Sequence, residues 1–204
     1  QEGLLFDRFF SNGTRSIEGI ASILLSIPSF PNITLIMSTF EQNKMNALPK
    51  ILSKNGYSSL FMHGNFQGSF GLHPFAESIG YDKVMAQEDF ENYREKSDGT
   101  WGIWDHIQFK ELKDQIDQMQ PPFFTTIYTS SSHKPYSLPD PKFAHFKETE
   151  IKDAAWLNSL RYSDWSLEQF FQLASKRPWY DKTLFVITSD HTISGRADKI
   201  IDAA

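Results

Sequence analysis

The segment Thr183-Leu184-Phe185-Val186-Ile187-Thr188-Ser189-Asp190-His191 joins a β-prone apolar run to a carboxylate and an imidazole. Residues 184–188 predict a buried parallel strand. Ligands of open α/β sheets sit beyond the carboxyl ends of the strands, so Asp190 and His191 fall where chemistry is usually done. A carboxylate oxygen and an imidazole nitrogen together begin a divalent-metal site. Asn12-Gly13-Thr14-Arg15-Ser16 is a second candidate. It places Thr14 at the N-terminus of an expected helix, where free N–H groups and the helix dipole favour a phosphoryl group or an alkoxide. The same stretch also reads as an ordinary cap made by Asn12, Thr14 or Ser16. Ser130-Ser131-Ser132-His133-Lys134-Pro135-Tyr136 holds His133 on a Pro-containing turn. There it could donate to an oxyanion or protonate a leaving group, or sit on a solvated loop. Asp98 to His106 carries Trp101 and Trp104 among carboxylates, a lid, a substrate wall or simple packing.

These residues must be positioned by elements that alternate helix and strand, the signature of an α/β sandwich with a largely parallel sheet. Strands are predicted at residues 5–10, 57–62, 123–129 and 184–188. Helices are predicted at residues 15–26, 46–54, 70–79, about 107–119 and 151–175. On the first, Ile17, Ile20, Ala21 and Leu24 share a face; on the last, Trp156, Leu160, Leu167 and Phe171 do. Asn55-Gly56 and Gly80 supply helix stops. Residues 82–105 have no clean period and read as an irregular excursion, and residues 130–147 as a surface loop. His63, His133 and His191 then all lie just past predicted strand ends, three of the six histidines.

Composition removes several alternatives. The chain has 204 residues, enough for one sizeable core, and 18 Phe. It has no cysteine, which removes thiol catalysis, thiolate metal sites and disulfides. A net charge of -5 without a Lys/Arg stripe argues against nucleic acid. No apolar run reaches the length of a membrane span. There is no P-loop, no dinucleotide fingerprint, no G-x-S-x-G elbow and no H-E-x-x-H helix. Both ends read as the interior of a longer protein.

The order of segments resembles a known family. Residues 6–19, with Thr14 at their centre, resemble the nucleophile segment of lipoteichoic-acid-synthase-like proteins, the sulfatase-like branch of the alkaline phosphatase superfamily. The likeness continues through Leu25-Ser26-Ile27-Pro28, Lys54-Asn55-Gly56-Tyr57, His63-Gly64-Asn65 and Gly80-Tyr81-Asp82. Trp101 to Asp105, Ser132 to Tyr136, Tyr162-Ser163-Asp164 and Ser189-Asp190-His191 complete it in the right order.

The resemblance implies an alkaline-phosphatase-like sandwich with helices on both faces of the sheet, residues 1–204 forming one catalytic domain truncated at both ends. It implies transfer of a phosphoalcohol headgroup, typically glycerol phosphate from phosphatidylglycerol, to a sugar or growing polymer. Thr14 would be nucleophile and metal ligand, Asp190 and His191 further ligands, and His133 a contact of the phosphoryl oxygens. His63, Asn65 and Trp101 would line the substrate side, with Arg15 beside the nucleophile. The ion would be Mn²⁺, with Zn²⁺ or Mg²⁺ as alternatives. The domain would be extracytoplasmic, tethered to a bacterial membrane by upstream helices that this chain lacks. The family's first strand, ending in a metal-binding glutamate, would precede residue 1; Glu18, one turn after Thr14, has no assigned role in the pattern. Sulfatases proper convert a cysteine or serine to formylglycine, which Thr14 cannot undergo. Hydrolysis of a soluble ester and a catalytically dead binding module are the competing readings.

Overall fold

The computed structural model describes residues 3–30 and 33–191; the expected domain ends at residues 1–2 and 192–204 lie outside them. Three parallel strands form the sheet: β1 (Ser58–His63), β2 (Lys83–Met85) and β3 (Phe123–Tyr128), in the order β2-β1-β3. In register, His63 stands opposite Tyr128 and Met62 opposite Met85. Side chains alternate across a strand with period two, and here that alternation divides the core into two layers. Phe61, Val84, Phe124 and Tyr128 pack on one face with α1 (Ser16–Leu25), α2 (Leu48–Ser53) and α3 (Leu72–Ser78). Leu60, Met62, Met85, Phe123 and Ile127 pack on the other with α4 (Asp105–Ile116) and α5 (Ala154–Ala174). The result is the expected sandwich, helices on both faces of a parallel sheet.

Local sequence explains most of the elements. α1 buries Ile20, Ala21, Leu24 and Leu25, the stripe its spacing predicts, with Ile17 half-buried beside them. The chain leaves α2 through Gly56 at φ 80, a backbone state that glycine adopts at no steric cost. On α5 two of the four expected contacts, Leu167 and Phe171, pack against the core, while the fully buried face lies beside them. That face runs through Asn158, Ser159, Tyr162, Ser166 and Phe170, whereas Leu160 is exposed. Burial of those polar residues is tolerated because each is bonded locally. Ser159 donates to the Trp156 carbonyl, Ser166 to the Tyr162 carbonyl, and Asn158 accepts from the His145 and Phe146 amides.

Three expectations fail. Residues 5–10 form no strand, and Leu5 is 81% exposed. Residues 184–188, expected as a buried strand, pair with nothing among the described residues and leave Leu184 87% exposed. A β-prone run becomes a strand only when another backbone takes its hydrogen bonds. Conversely, the irregular stretch 82–105 contains β2, a three-residue strand too short to show a period. Pairing with β1 makes it one.

Candidate active site at the carboxyl edge of the sheet

Thr14 precedes α1 by two residues, and the residue at the cap position is Arg15, whose side chain makes no capping bond. The capping reading of Asn12, Thr14 and Ser16 is therefore set aside. Asn12 Oδ1 accepts from the Ser29 amide and hydroxyl, both at 3.1 Å. Ser16 Oγ accepts from the Tyr128 hydroxyl at 3.0 Å, tying α1 to the carboxyl end of β3. Burial pushes the Tyr128 phenol up to about 12, so it remains a neutral donor in that bond.

The free amide at this helix start is taken instead by Glu18, reaching back from the first turn much as a capping-box glutamate does. Glu18 Oε2 accepts from the Thr14 amide at 2.8 Å and from the Thr14 hydroxyl at 3.3 Å. Its other oxygen accepts from Arg15 at 2.9 and 3.1 Å. The Thr14 amide bond, seconded by Arg15, holds the Glu18 carboxyl below its ordinary range against the opposing effect of burial. Arg15 is thus committed to Glu18, while Thr14 itself is exposed at the surface.

Asp190 arrives at the same turn from the far end of the chain. A Cβ placed on Gly19 would lie 1.9 Å from the Asp190 carbonyl oxygen, so the two backbones are in direct contact. The contact seats Asp190 on α1 at the residue after Glu18, the carboxylate that holds Thr14 and Arg15. His191 follows, its amide donating to Asp190 Oδ1 at 2.8 Å.

A second group lies where β1 and β3 end. Asn65 is buried and its amide donates to the Trp101 carbonyl at 2.8 Å and to Ser130 Oγ at 3.4 Å. Trp101 is aimed by Asp98, whose Oδ1 accepts from the amides of Thr100, Trp101 and Gly102. Gly102, at φ 136, lets this strip dock: a Cβ there would lie 1.9 Å from the Gly64 carbonyl oxygen. The Trp101 and His133 rings are 3.9 Å apart between centroids, and the Trp101 indole donates to the Lys134 carbonyl. His133 is exposed and Nδ1 faces that same carbonyl at 3.1 Å. His63 joins neither group by a hydrogen bond. It is 0% exposed, packed between Phe61 and His73, and neither ring nitrogen has a hydrogen-bond partner among the described residues.

Asp105 was not singled out by sequence and organises this second group. It is 1% exposed, yet its carboxylate accepts from the Ser130 and Ser131 amides and from Ser163 Oγ. Burial raises its pKa, and the Ser131 and Ser163 bonds pull the other way. It pins the loop that carries His133 to both α4 and α5. Its only sequence signal was its place after the tryptophan-glycine segment, which by itself does not tell a pin from a helix-start carboxylate.

The donor types of Thr14, Asp190 and His191, a hydroxyl, a carboxylate and an imidazole, fit a hard or borderline divalent cation. Asp190 touches α1 at Gly19, five residues after Thr14, and His191 is the next residue in the chain. Among the described residues no three His, Asp or Glu side chains gather closely enough to hold an ion by themselves.

Residues 1–200 match the sulfatase family. The chain belongs to that family. Lipoteichoic acid synthase 2 of Bacillus subtilis is 27% identical over 194 residues, 93% of this chain and 30% of that protein. This sulfatase-family chain therefore spans less than a third of that relative. A Vibrio parahaemolyticus protein of the alkaline phosphatase superfamily superposes with a TM-score of 0.78 at 24% identity, covering 91% of this chain and 46% of that one. The lipoteichoic acid synthase LtaP of Listeria monocytogenes superposes with a TM-score of 0.71 at 19% identity, over 83% of this chain and 43% of that one. These likenesses establish an alkaline-phosphatase-superfamily fold for the sulfatase-family chain.

Proposed function

We propose that this chain carries part of the catalytic domain of a transferase that moves a phosphoglycerol or related phosphoalcohol headgroup from a phospholipid to a sugar or polymer acceptor. The observation that carries the reading is the contact between Gly19 and Asp190, which joins the Thr14 segment to the Asp190-His191 pair across the length of the chain.

In this reading Thr14 Oγ1 attacks the lipid phosphorus, and the bond from phosphorus to the diacylglycerol oxygen breaks. The headgroup phosphate is left on Thr14, and the departing oxygen takes up a proton. An acceptor hydroxyl then attacks the same phosphorus and frees Thr14. The Thr14 proton faces Glu18 Oε2. With its carboxyl held low, Glu18 is a weak base, so the hydroxyl needs activation from elsewhere. Thr14, Asp190 and His191 would hold a divalent cation, Mn²⁺ first among candidates, which when bound would supply that activation and neutralise phosphoryl charge. His133 stands beside Trp101 to meet the phosphoryl oxygens. Because a carbonyl can only accept, His133 Nδ1 carries the hydrogen in its bond to Lys134, and Nε2 donates to phosphate only in the imidazolium form.

The family likeness supports a domain that lies outside the cytoplasmic membrane and is anchored to it. None of the described helices is long and apolar enough to cross a membrane. The test is Thr14→Ala in the intact protein, with headgroup release from phosphatidylglycerol as the measurement. Release should fall to background while the circular dichroism spectrum is retained; undiminished turnover overturns the mechanism. Release to water in place of an acceptor makes the protein a hydrolase of the same family.

A further inference from the structure

Tyr128 ends β3, and its phenol crosses to the first residue of α1, donating to Ser16 Oγ at 3.0 Å. Among the described residues this is the one hydrogen bond from residues 12–25 to the sheet. The rest of the contact is apolar: Ile17, Ile20, Ala21 and Leu24 pack in the same cluster as Phe61, Phe124 and the Tyr128 ring. Apolar burial is non-directional, so it keeps α1 on the sheet without fixing how far the helix slides or turns there. A hydrogen bond weakens steeply with misalignment, and it does fix that.

The bond lies between the two groups of the site. Ser16 is two residues past Thr14, and Tyr128 is two residues before Ser130, whose amide donates to Asp105. The phenol also lies within electrostatic reach of one carboxylate from each group, Asp190 and Asp105. We propose that Tyr128 is a positioning residue whose bond to Ser16 sets the place of Thr14 relative to the His133 loop. Resting on the transfer reading above, it serves the step in which Thr14 Oγ1 attacks a phosphorus whose oxygens meet His133. Tyr128 acts through Ser16 and α1 and makes no contact with the phosphorus itself. A misplacement of about 1 Å at such a step can cost on the order of a hundredfold in rate.

The test is a double-mutant cycle in the intact protein, with kcat and KM for headgroup release from phosphatidylglycerol as the readout. Tyr128→Phe keeps the ring and removes the donor; Ser16→Ala removes the acceptor. Each should lower kcat about tenfold and leave KM within about twofold, and the double variant should be no slower than either. Ser16→Thr keeps the hydroxyl and should retain most of the rate. An unchanged kcat in Tyr128→Phe, or losses that multiply in the double variant, overturn the proposal. A second measurement needs no turnover. The Glu18 and Gly19 amides both donate to the Arg15 carbonyl, and their hydrogen exchange should quicken about threefold or more in Tyr128→Phe while that of β1 is unchanged. Exchange equal to that of the parent also overturns the proposal. Absence of headgroup release by the parent defeats the transfer reading alone, and exchange then still decides whether Tyr128 holds the start of α1.

Discussion

Both carboxylate oxygens of Glu18 are spent within one turn of helix, one on Thr14 and one on Arg15. Arg15, expected from the resemblance beside the phosphoryl group, is instead satisfied by its nearest carboxylate, and an incoming phosphate must compete for it. The Thr14-to-Glu18 spacing was visible in sequence; the back-bond that it makes was not, because a glutamate can as readily face solvent. His63 is the opposite case, a titratable ring with no hydrogen-bond partner among the described residues. Burial, with a smaller contribution from His73, lowers its pKa from 6.5 to about 4, against an opposing pull from Asp89. The unfolded chain therefore takes up a proton below pH 6.5 that the folded chain refuses until about pH 4. Stability is fully present above this window and falls as the pH drops through it, by about 3 kcal/mol over the whole span. His63→Phe should flatten the acid limb of urea midpoints measured between pH 4 and 7. An equally steep limb in the variant would assign the loss to other groups.

At the scale of elements, α1 bears the largest demand, because its first turn must receive Asp190 at van der Waals range. A glycine inside a helix costs about 1 kcal/mol relative to alanine, so Gly19→Ala should favour the helix itself. The added methyl would collide with the Asp190 carbonyl and displace the loop that bears Asp190 and His191. The expected outcome is an unchanged or higher melting temperature together with at least a tenfold loss of Mn²⁺ affinity by calorimetry. Undiminished affinity would show that the contact does not position the ligands. The element pattern itself was legible where a segment carried its own period, as in α1 and α4, or a β-rich run between turns, as in β1 and β3. It failed at residues 5–10 and 184–188, whose residues favour a strand but have no described partner. It failed at β2 for the converse reason, since Lys83–Met85 takes its state from β1.

Across the whole molecule the sheet separates two helical layers, and its carboxyl edge collects segments that are far apart in sequence. The α1 segment that follows Thr14 meets Asp190 on one side of that edge, and Asn65, Trp101 and His133 gather on the other. If one divalent cation completes the first side, chelation of the intact protein should abolish headgroup transfer and Mn²⁺ should restore it. The same addition should raise the melting temperature, because an ion that binds only the folded state stabilises it. Transfer that persists after chelation, with no metal found by elemental analysis, would remove the cation from the reaction.

The sequence by itself determined the alternation of helix and strand, the family, and the order of the segments that carry candidate site residues. Period, turn residues and segment order are properties of a chain read along its length. Only the tertiary structure decided that Glu18 accepts from the Thr14 amide, that Asp105 pins the His133 loop, and that the Asp190 carbonyl abuts Gly19. Each of those depends on which backbone amide, carbonyl or charge lies within about 3 Å, the range over which a hydrogen bond acts. The opening segment, residues 183–191, divides along the same line. The Asp190 backbone lies against Gly19 of α1, while the apolar run before it lacks, among the described residues, the paired backbone that a buried strand requires.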